Sequence, residues 1–449
     1  MKRLFAIAVA LLAMTWVACD DDPVVEPEPE KFLELSTTSL NALDTTGEYT
    51  FQINASHPWT AACEADWVTV KPIWGKAGEH TVTVTVATSD LDTKRTATIV
   101  VKSDQIDVTK EVKLTQSAVS AARLEYRKLY YTTTDGQTVK PLNPYNVFGG
   151  PTIESNKYSN GQGVMTLTAD IKTIGSFAFK EKLTLVSMKF PASLVEIGYQ
   201  TFYNCQSLSK IELPEGLKTI GNMAFARCPS LTTVKIPSTV TKINESAFVR
   251  CHSLTRFEGK FATSDGRGLI VNNVLVSFAP AGVAEWTVPN GVTTIQWDVF
   301  HDCADLCAVK LPSSLTTIGV SAFRNCTSLS AIELPANLSK LTSGAFYGCT
   351  SLTKVVLPDV LAEIEMGVFE NCTSLKEVTI GSKVQNISGE AFGGCTLSTV
   401  ICKAKTPPTT GENFLGGKNA DLVVKVPAAS VEAYKAAAGW KEYKIEAMD

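Results

Sequence analysis

Two tetrapeptides place a serine three residues before a lysine, Ser207-Leu208-Ser209-Lys210 and Ser351-Leu352-Thr353-Lys354. On one helical turn that spacing would let the lysine activate a serine nucleophile for acyl transfer. His301-Asp302-Cys303 with Cys307 supplies the residue types of a metal site or of a thiol paired with histidine. The elements that carry these residues argue against both chemistries. Both tetrapeptides fall on the strand of a recurring unit, and they recur because the unit recurs. Cys303 is a repeated core position of that unit, and Cys307 stands on the following strand where other units have Ser209 and Ser330. The sequence holds no His-Glu-x-x-His pair, no phosphate-cradling glycine loop and no Gly-x-Ser-x-Gly elbow. We expect no catalytic residue, no metal and no cofactor.

The recurring unit is the dominant feature of the chain. Phe occurs at 179, 202, 225, 248, 300, 323, 346, 369 and 392, in steps of 23 residues with one step of 52. Five residues earlier stands Ile174, Ile197, Ile220, Ile243, Ile295, Ile318, Ile364 or Ile387, with Leu341 in the remaining unit. Pro191, Pro214, Pro237, Pro289, Pro312, Pro335 and Pro358 form a third column, closed by Gly381. A fixed period of this length is the mark of a solenoid. One unit reads Leu231-Thr-Thr-Val234-Lys-Ile236-Pro237, then Val240, Ile243, Ala247-Phe248 and Cys251. Val234 and Ile236 alternate with Thr233 and Lys235 and predict a strand ended by Pro237, which cannot donate to a ladder. One coil cannot bury these residues alone, but coils stacked at ~4.8 Å can, and the Phe coils then span on the order of 45 Å. The 52-residue step contains Leu269 to Val276, which reads as a hairpin turning at Asn272-Asn273. It is either an extra coil or a protruding binding element.

The outward strand positions form two columns. One runs Lys189, Glu212, Lys235, Thr287, Lys310, Glu333, Val356, Thr379; the other Ser187, Lys210, Thr233, Glu285, Ala308, Ala331, Lys354, Glu377. Together they predict a mixed-charge strip along one sheet, the kind of extended surface on which solenoids hold partners. Lys189, Lys210, Glu212, Lys235, Lys310, Glu333, Lys354 and Glu377 are its candidate ligand-facing residues. No run of exposed aromatics marks a glycan groove.

The 12 cysteines sort by spacing. Cys205, Cys228 and Cys251, then Cys303, Cys326, Cys349, Cys372 and Cys395, each stand three residues after a ladder Phe. One inward thiol per coil favours free cysteines over disulfides. Cys63, Cys307 and Cys402 fall outside the ladder, and Cys19 belongs to the N-terminal segment.

Residues 32–118 read as a different fold. Thr81 to Val86, Thr96 to Val101 and Val108 to Leu114 alternate as half-buried strands, with shorter ones at Leu33 to Leu35 and Tyr49 to Ile53. They predict an immunoglobulin-like β-sandwich. Trp59 and Trp67 fall on core positions, whereas Trp74 lies in a Gly-bracketed loop and could stack on a sugar ring. Ahead of it, Lys2-Arg3 and an apolar run to Ala18 form an export signal, too short for the ~20 residues of a membrane span. Asp20-Asp21-Asp22 and a Pro-Glu stretch make residues 19–31 an acidic tether. A net charge of -4 speaks against nucleic acid as a partner.

Four resemblances follow from these residues. Trp16-Val17-Ala18-Cys19 resembles a bacterial lipobox and implies a signal peptide over 1–18 and lipidation of Cys19. The acidic residues behind it resemble the surface-export signal of Bacteroidetes lipoproteins, which implies an outer-membrane anchor facing the exterior. Trp59, Trp67-Val68-Thr69-Val70, Arg95 and Leu114-Thr115-Gln116 resemble the BACON domain. That family is proposed to bind carbohydrate or mucin, with a plain spacer as the other reading. The repeats over 165–403 resemble the BspA-type leucine-rich repeat. Residues 119–164 would be its lead-in, 260–288 its hairpin insertion, and 404–449 a C-terminal cap of one strand and a short helix. This resemblance implies a non-catalytic, monomeric adhesin. Its partners would be host matrix proteins such as fibronectin and fibrinogen, or other cell-surface ligands. Glycan capture by the sandwich is the alternative.

Overall fold

The computed structural model describes residues 30–89, 91, 93–144, 146–417 and 421–448. The chain is mainly β and divides between Val119 and Ser120 into two units. Cys19, the signal peptide and the acidic tether lie outside the described residues.

The first unit is a sandwich of two sheets. One has the strand order Leu33–Leu35, Gly47–Ala55, Gly78–Val86, Val68–Lys71; the other runs Ser39–Ala42, Val108–Gln116, Arg95–Ser103, Trp59–Ala62, Trp74–Gly75. Alternation sets the faces: Val82, Val84, Val86, Ile99, Val101, Val112 and Leu114 are fully buried, with threonines and lysines between them facing out. Trp59 is buried in this core, and Trp67 is half-buried with the Arg95 guanidinium 4.2 Å from its ring centroid. The short Trp74–Gly75 strand sits on the sheet edge against Trp59–Thr60. A Cβ on Gly75 would come within 2.6 Å of the Trp59 indole. Glycine therefore lets this strand close over Trp59, and the alternation turns Trp74 outward.

The second unit is the solenoid. Each coil contributes a strand to a main parallel ladder, such as Ser187↔Lys210 and Thr233↔Arg256, and a two-residue strand to a second, such as Thr219↔Lys242. Between the second strand and the next coil runs a turn face. There the third residue after each Ile and the second after each Phe adopt left-handed backbone: Met223 at φ 53° and Ser246 at 54°, Asn204 at 60° and Gly348 at 71°. These kinks aim the N–H groups between them at the next coil, so Phe202 N donates to Ala224 O at 2.7 Å and Asn204 N to Ala226 O at 2.9 Å.

Inside, the Phe rings stack. Phe202 and Phe225 lie 5.2 Å apart and 1° from parallel, Phe346 and Phe369 5.3 Å and 1°. The ladder thiols other than Cys303 also donate a hydrogen bond to the preceding coil. Cys228 Sγ donates to Phe202 O at 3.2 Å and Cys326 Sγ to Phe300 O at 3.1 Å, each carbonyl belonging to the preceding coil. The described cysteines are free thiols. Burial pushes Cys205 and Cys251 up to about 12.

The 52-residue step is absorbed without opening the turn face. Arg250 and Asp302 stand 2.7 Å apart across it, and Ser246 Oγ donates to Trp297 O at 3.4 Å. The Phe stack, however, is interrupted. Phe248 meets Phe257 edge-on, and a new stack starts from Phe278 against Phe300 at 4.8 Å. The insertion forms a hairpin, Gly268–Val271 with Val274–Phe278, turning at Asn272 and Asn273 with φ of 50° and 64°. Its second strand joins the short-strand ladder in parallel with Thr294–Ile295, and Leu275, Val276 and Phe278 are buried. It is thus part of the wall, and the protruding reading is set aside.

The ends are closed differently. At the start, Lys128–Thr133, Ile153–Ser159 and Gln162–Leu167 pair antiparallel and continue into the main ladder through Leu185–Lys189. At the end, Val423–Val426 extends that ladder and a short helix, Val431–Ala436, follows. The helix buries Tyr434, whose hydroxyl donates to Ala404 O at 2.8 Å. The helix stops earlier than Gly439 suggests: Gly439, at φ 80°, instead precedes a 3-10 turn, Trp440–Glu442. A final strand, Lys444–Ala447, then pairs with Val423–Val426, an element absent from the sequence reading. Among the described residues no helix is long and apolar enough to cross a membrane.

Two outcomes follow. Phe225→Ala removes a ring that contacts both neighbours and should cost about 3–5 kcal/mol in denaturant unfolding. A loss under about 1 kcal/mol would mean the stack does not hold the coils together. In mildly alkaline buffer a thiol reagent should modify exposed Cys307 first and half-buried Cys63 more slowly, with the buried ladder thiols reacting only after unfolding. Intact mass spectrometry reads the difference.

Candidate functional site

The main ladder puts the charged columns on one face because neighbouring strands are in register and alternate residues share a side. Lys189, Lys210, Glu212, Lys235, Lys310, Glu333 and Lys354 are exposed, and Glu377 is half-buried. Several neutralise one another: Lys210 Nζ lies 2.8 Å from Glu212, and Lys354 Nζ 2.6 Å from Glu377 in the next coil. The hydrogen bond from Lys210 is the main cause holding Glu212 below the usual carboxylate range. Lys189, Lys210 and Glu212 also meet Tyr130 and Gln162 around a small cavity of about 130 Å³ where the lead-in joins the array.

The columns depart from expectation in two places. Thr379 is buried at 8% exposure although its column faces out. The strip also includes Arg256 and Glu258, 3.3 Å apart, which the sequence reading missed. Their coil has Lys260 where the marker proline would stand, so columns counted back from each proline pass over it. With them one column runs Lys189, Glu212, Lys235, Glu258, alternating in sign.

Exposed aromatics do occur, contrary to expectation, but on the turn face. Phe177 and Tyr199 are each 40% exposed and meet edge-on at 5.2 Å. Lys180 Nζ lies 5.5 Å from the Phe177 ring centroid and 5.3 Å from that of Tyr203. Tryptophan 297 adds a ring at 49% exposure on a later coil. Their signal in the sequence is the column two and three residues after each Ile. On the sandwich, Trp74 is 61% exposed.

The catalytic candidates resolve into structure. Lys210 and Lys354 are strand residues paired with carboxylates, not partners of a serine on one helical turn. His301 lies between Asp298 Oδ1, 2.6 Å from Nδ1, and Arg250, 2.7 Å from Nε2. An arginine has only donors, so Nε2 accepts and Nδ1 carries the proton toward Asp298. This network spans the two coils flanking the insertion. Cys303 is buried, and burial raises its thiol well above the ordinary value, the opposite of what a nucleophile needs. Cys307 is exposed. Among the described residues no group of three or more metal-ligating side chains converges.

Comparison with known families places this geometry. The BspA type leucine-rich repeat region matches residues 152–263 and 276–405 in six copies. The chain belongs to the BspA-type leucine-rich repeat family. The gap in the match overlaps the hairpin between the two Phe stacks. Residues 57–117 match the BACON family, described as an N-terminal domain with a proposed binding role. Neither family is an enzyme family. The comparison with curated proteins finds no match.

Solved structures are similar to the BspA-type array. The pneumococcal vaccine antigen PcpA is 18% identical, covering 57% of this chain and 72% of its own with a TM-score of 0.48. A leucine-rich cell surface protein from Faecalibacterium prausnitzii is 24% identical, covering 60% and 94%, TM-score 0.34. A leucine-rich repeat protein from Bacteroides ovatus is 23% identical, covering 66% and 91%, TM-score 0.31.

The strip's charges are exposed and in part self-neutralised, so they should contribute little to folding. Lys235→Glu and Lys310→Glu should each leave stability within about 0.5 kcal/mol of the parent. A larger loss in thermal unfolding would show the strip to be structural rather than free for a partner.

Proposed function

We propose that the chain is a non-catalytic surface lipoprotein that binds host matrix or other cell-surface proteins through the charged strip of its solenoid. One observation carries this reading: side chains of both signs stand in register on a parallel ladder, nearly all of them exposed. Such a face positions its charges without ordering cost, which favours recognition over bulk adhesion. The family assignment supports a binding role, and the name of the Faecalibacterium protein as a cell surface protein is consistent with it. In this reading Cys19 carries the lipid, the anchor is in the outer membrane facing outward, the protein acts as a monomer, and no nucleic acid or cofactor takes part.

A second reading rests on Trp74. Its ring is exposed on the edge of the BACON sandwich and would stack on a sugar, making that domain the glycan-binding part.

The two readings separate on arrays of matrix proteins and glycans probed with the whole exported protein. The first expects protein signal that falls at least about tenfold in a Lys235→Glu/Lys310→Glu double variant and is unmoved by Trp74→Ala. Glycan signal alone, abolished by Trp74→Ala, would overturn it in favour of the second. Protease added to intact cells should remove the protein; survival until the outer membrane is permeabilised would refute the outward orientation.

A further inference from the structure

The last coil before the C-terminal cap breaks the repeat in a way that opens a cleft. In the coils before it, the position two residues before the short strand is filled by a buried aliphatic side chain: Leu315, Leu338, Leu361 and Val384. In the last coil Thr409 pairs with Asn386, which puts Pro407 in that column, and Pro407 is only half-buried. The connection from the main strand, which ends at Cys402, is also one residue longer than the one from Ile380 to Asn386. Pro408 has no N–H, so of the two neighbouring donors that elsewhere reach the preceding coil only Thr409 N remains, bonded to Gln385 O at 2.9 Å. A shorter side chain, a longer loop and a missing ladder bond leave a cavity of about 990 Å³ along this coil and the two before it.

Its chemistry is distinct from the strip. Lys383, Lys403 and Lys405 line it, all exposed, in a chain of net charge -4. Lys403 lies 3.9 Å from Asp359, whose carboxylate already accepts from Ser382 N at 2.8 Å. That backbone bond, with the charge of Lys403, holds Asp359 below the usual carboxylate range. Lys383 also bears on Asp359 through its charge without a direct ion pair, and among the described residues Lys405 has no ion-pair partner. The walls add Gln385, Thr406 and Thr409, hydroxyls and an amide, over a floor of small aliphatic groups that includes Val384. No aromatic or deep apolar pocket is present to anchor a protein side chain.

We propose that this cleft is a binding site for an acidic oligosaccharide, with carboxylate or sulfate groups met by Lys383 and Lys405 and sugar hydroxyls met by the polar wall. The site lies away from the sheet strip and does not rest on the adhesin reading.

The test is calorimetric titration of the whole exported protein with short oligomers of equal length: a uronic acid, a sulfated sugar, a neutral sugar and oligoglutamate. The proposal expects one or both acidic sugars to bind, more weakly as salt rises, and the neutral sugar to fail. The stronger of the two names the anionic group. Lys383→Glu/Lys405→Glu, at exposed positions that keep the fold, should weaken binding more than about tenfold, and Pro407→Leu, which refills the column, should weaken it too. Lys235→Glu/Lys310→Glu should leave it unchanged. Equal binding of oligoglutamate, no binding of either acidic sugar, or binding indifferent to the lysine pair would each overturn the proposal.

Discussion

A coil of this solenoid cannot satisfy its own interior. Phe202 needs Phe225 on one side and Phe179 on the other, and its carbonyl takes the Cys228 thiol from the coil that follows. Within the regular coils the stacked rings, the thiols and the turn-face N–H groups find their partners in the neighbouring coil. The order of the structure therefore rests on a strict repeat of position, and any change of period must be compensated where it occurs. Stability is a sum of neighbour terms along one axis, with no central core to average out a fault.

The faults and their repairs account for the irregular parts of the fold. At the 52-residue step Phe257 ends one stack and Phe278 begins the next, while Arg250, His301, Asp298 and Asp302 join the turn faces across the gap. At the start an antiparallel group covers the first Phe, and at the end Tyr434 and Trp440 cover the last coil. Trp440 Nε1 donates to Pro408 O at 2.8 Å, which ties the cap to the loop of the last coil. The cleft beside that loop is the local cost of ending a periodic structure with a proline where an aliphatic side chain had stood.

Much of this was legible in the sequence, and the reason is the same periodicity. The Phe, Ile, Pro and Cys columns announced coil, strand and turn because each answers a steric demand that recurs unchanged. Residues that answer a demand made once were not legible. Phe257 reads as an ordinary aromatic until the missing Phe in its period is noticed, and Arg256 and Glu258 were lost from the strip for the same reason. The left-handed column after each Phe was visible in Asn204, Asn325, Gly348, Asn371 and Gly394, residue types that tolerate that backbone, but it was not sought. The donor role of the cysteines needed the structure, because spacing shows that a small buried residue is wanted and not which carbonyl it faces. Thr379 and the strand Lys444–Ala447 depend on how the ladder ends, which no repeat unit encodes.

The candidate surfaces were harder to read than the fold for a physical reason. The inward columns hold the coils together and are constrained to Phe, Ile, Val, Leu and Cys. The outward columns on the ladder contribute little to stability and are free to vary from coil to coil. Recognition by such a protein is written in the columns that the fold leaves unconstrained, so a residue there carries no repeating signal by which to find it. The exceptions are instructive. Charges that pair with their neighbours, as Lys354 does with Glu377, lower the field of the strip, whereas beside the cleft three lysines, Lys383, Lys403 and Lys405, share the single nearby carboxylate of Asp359. In a solenoid whose strip neutralises itself in part, a site for a strongly charged ligand is best placed where the ladder fails, because there side chains from neighbouring coils face a large common space instead of each other.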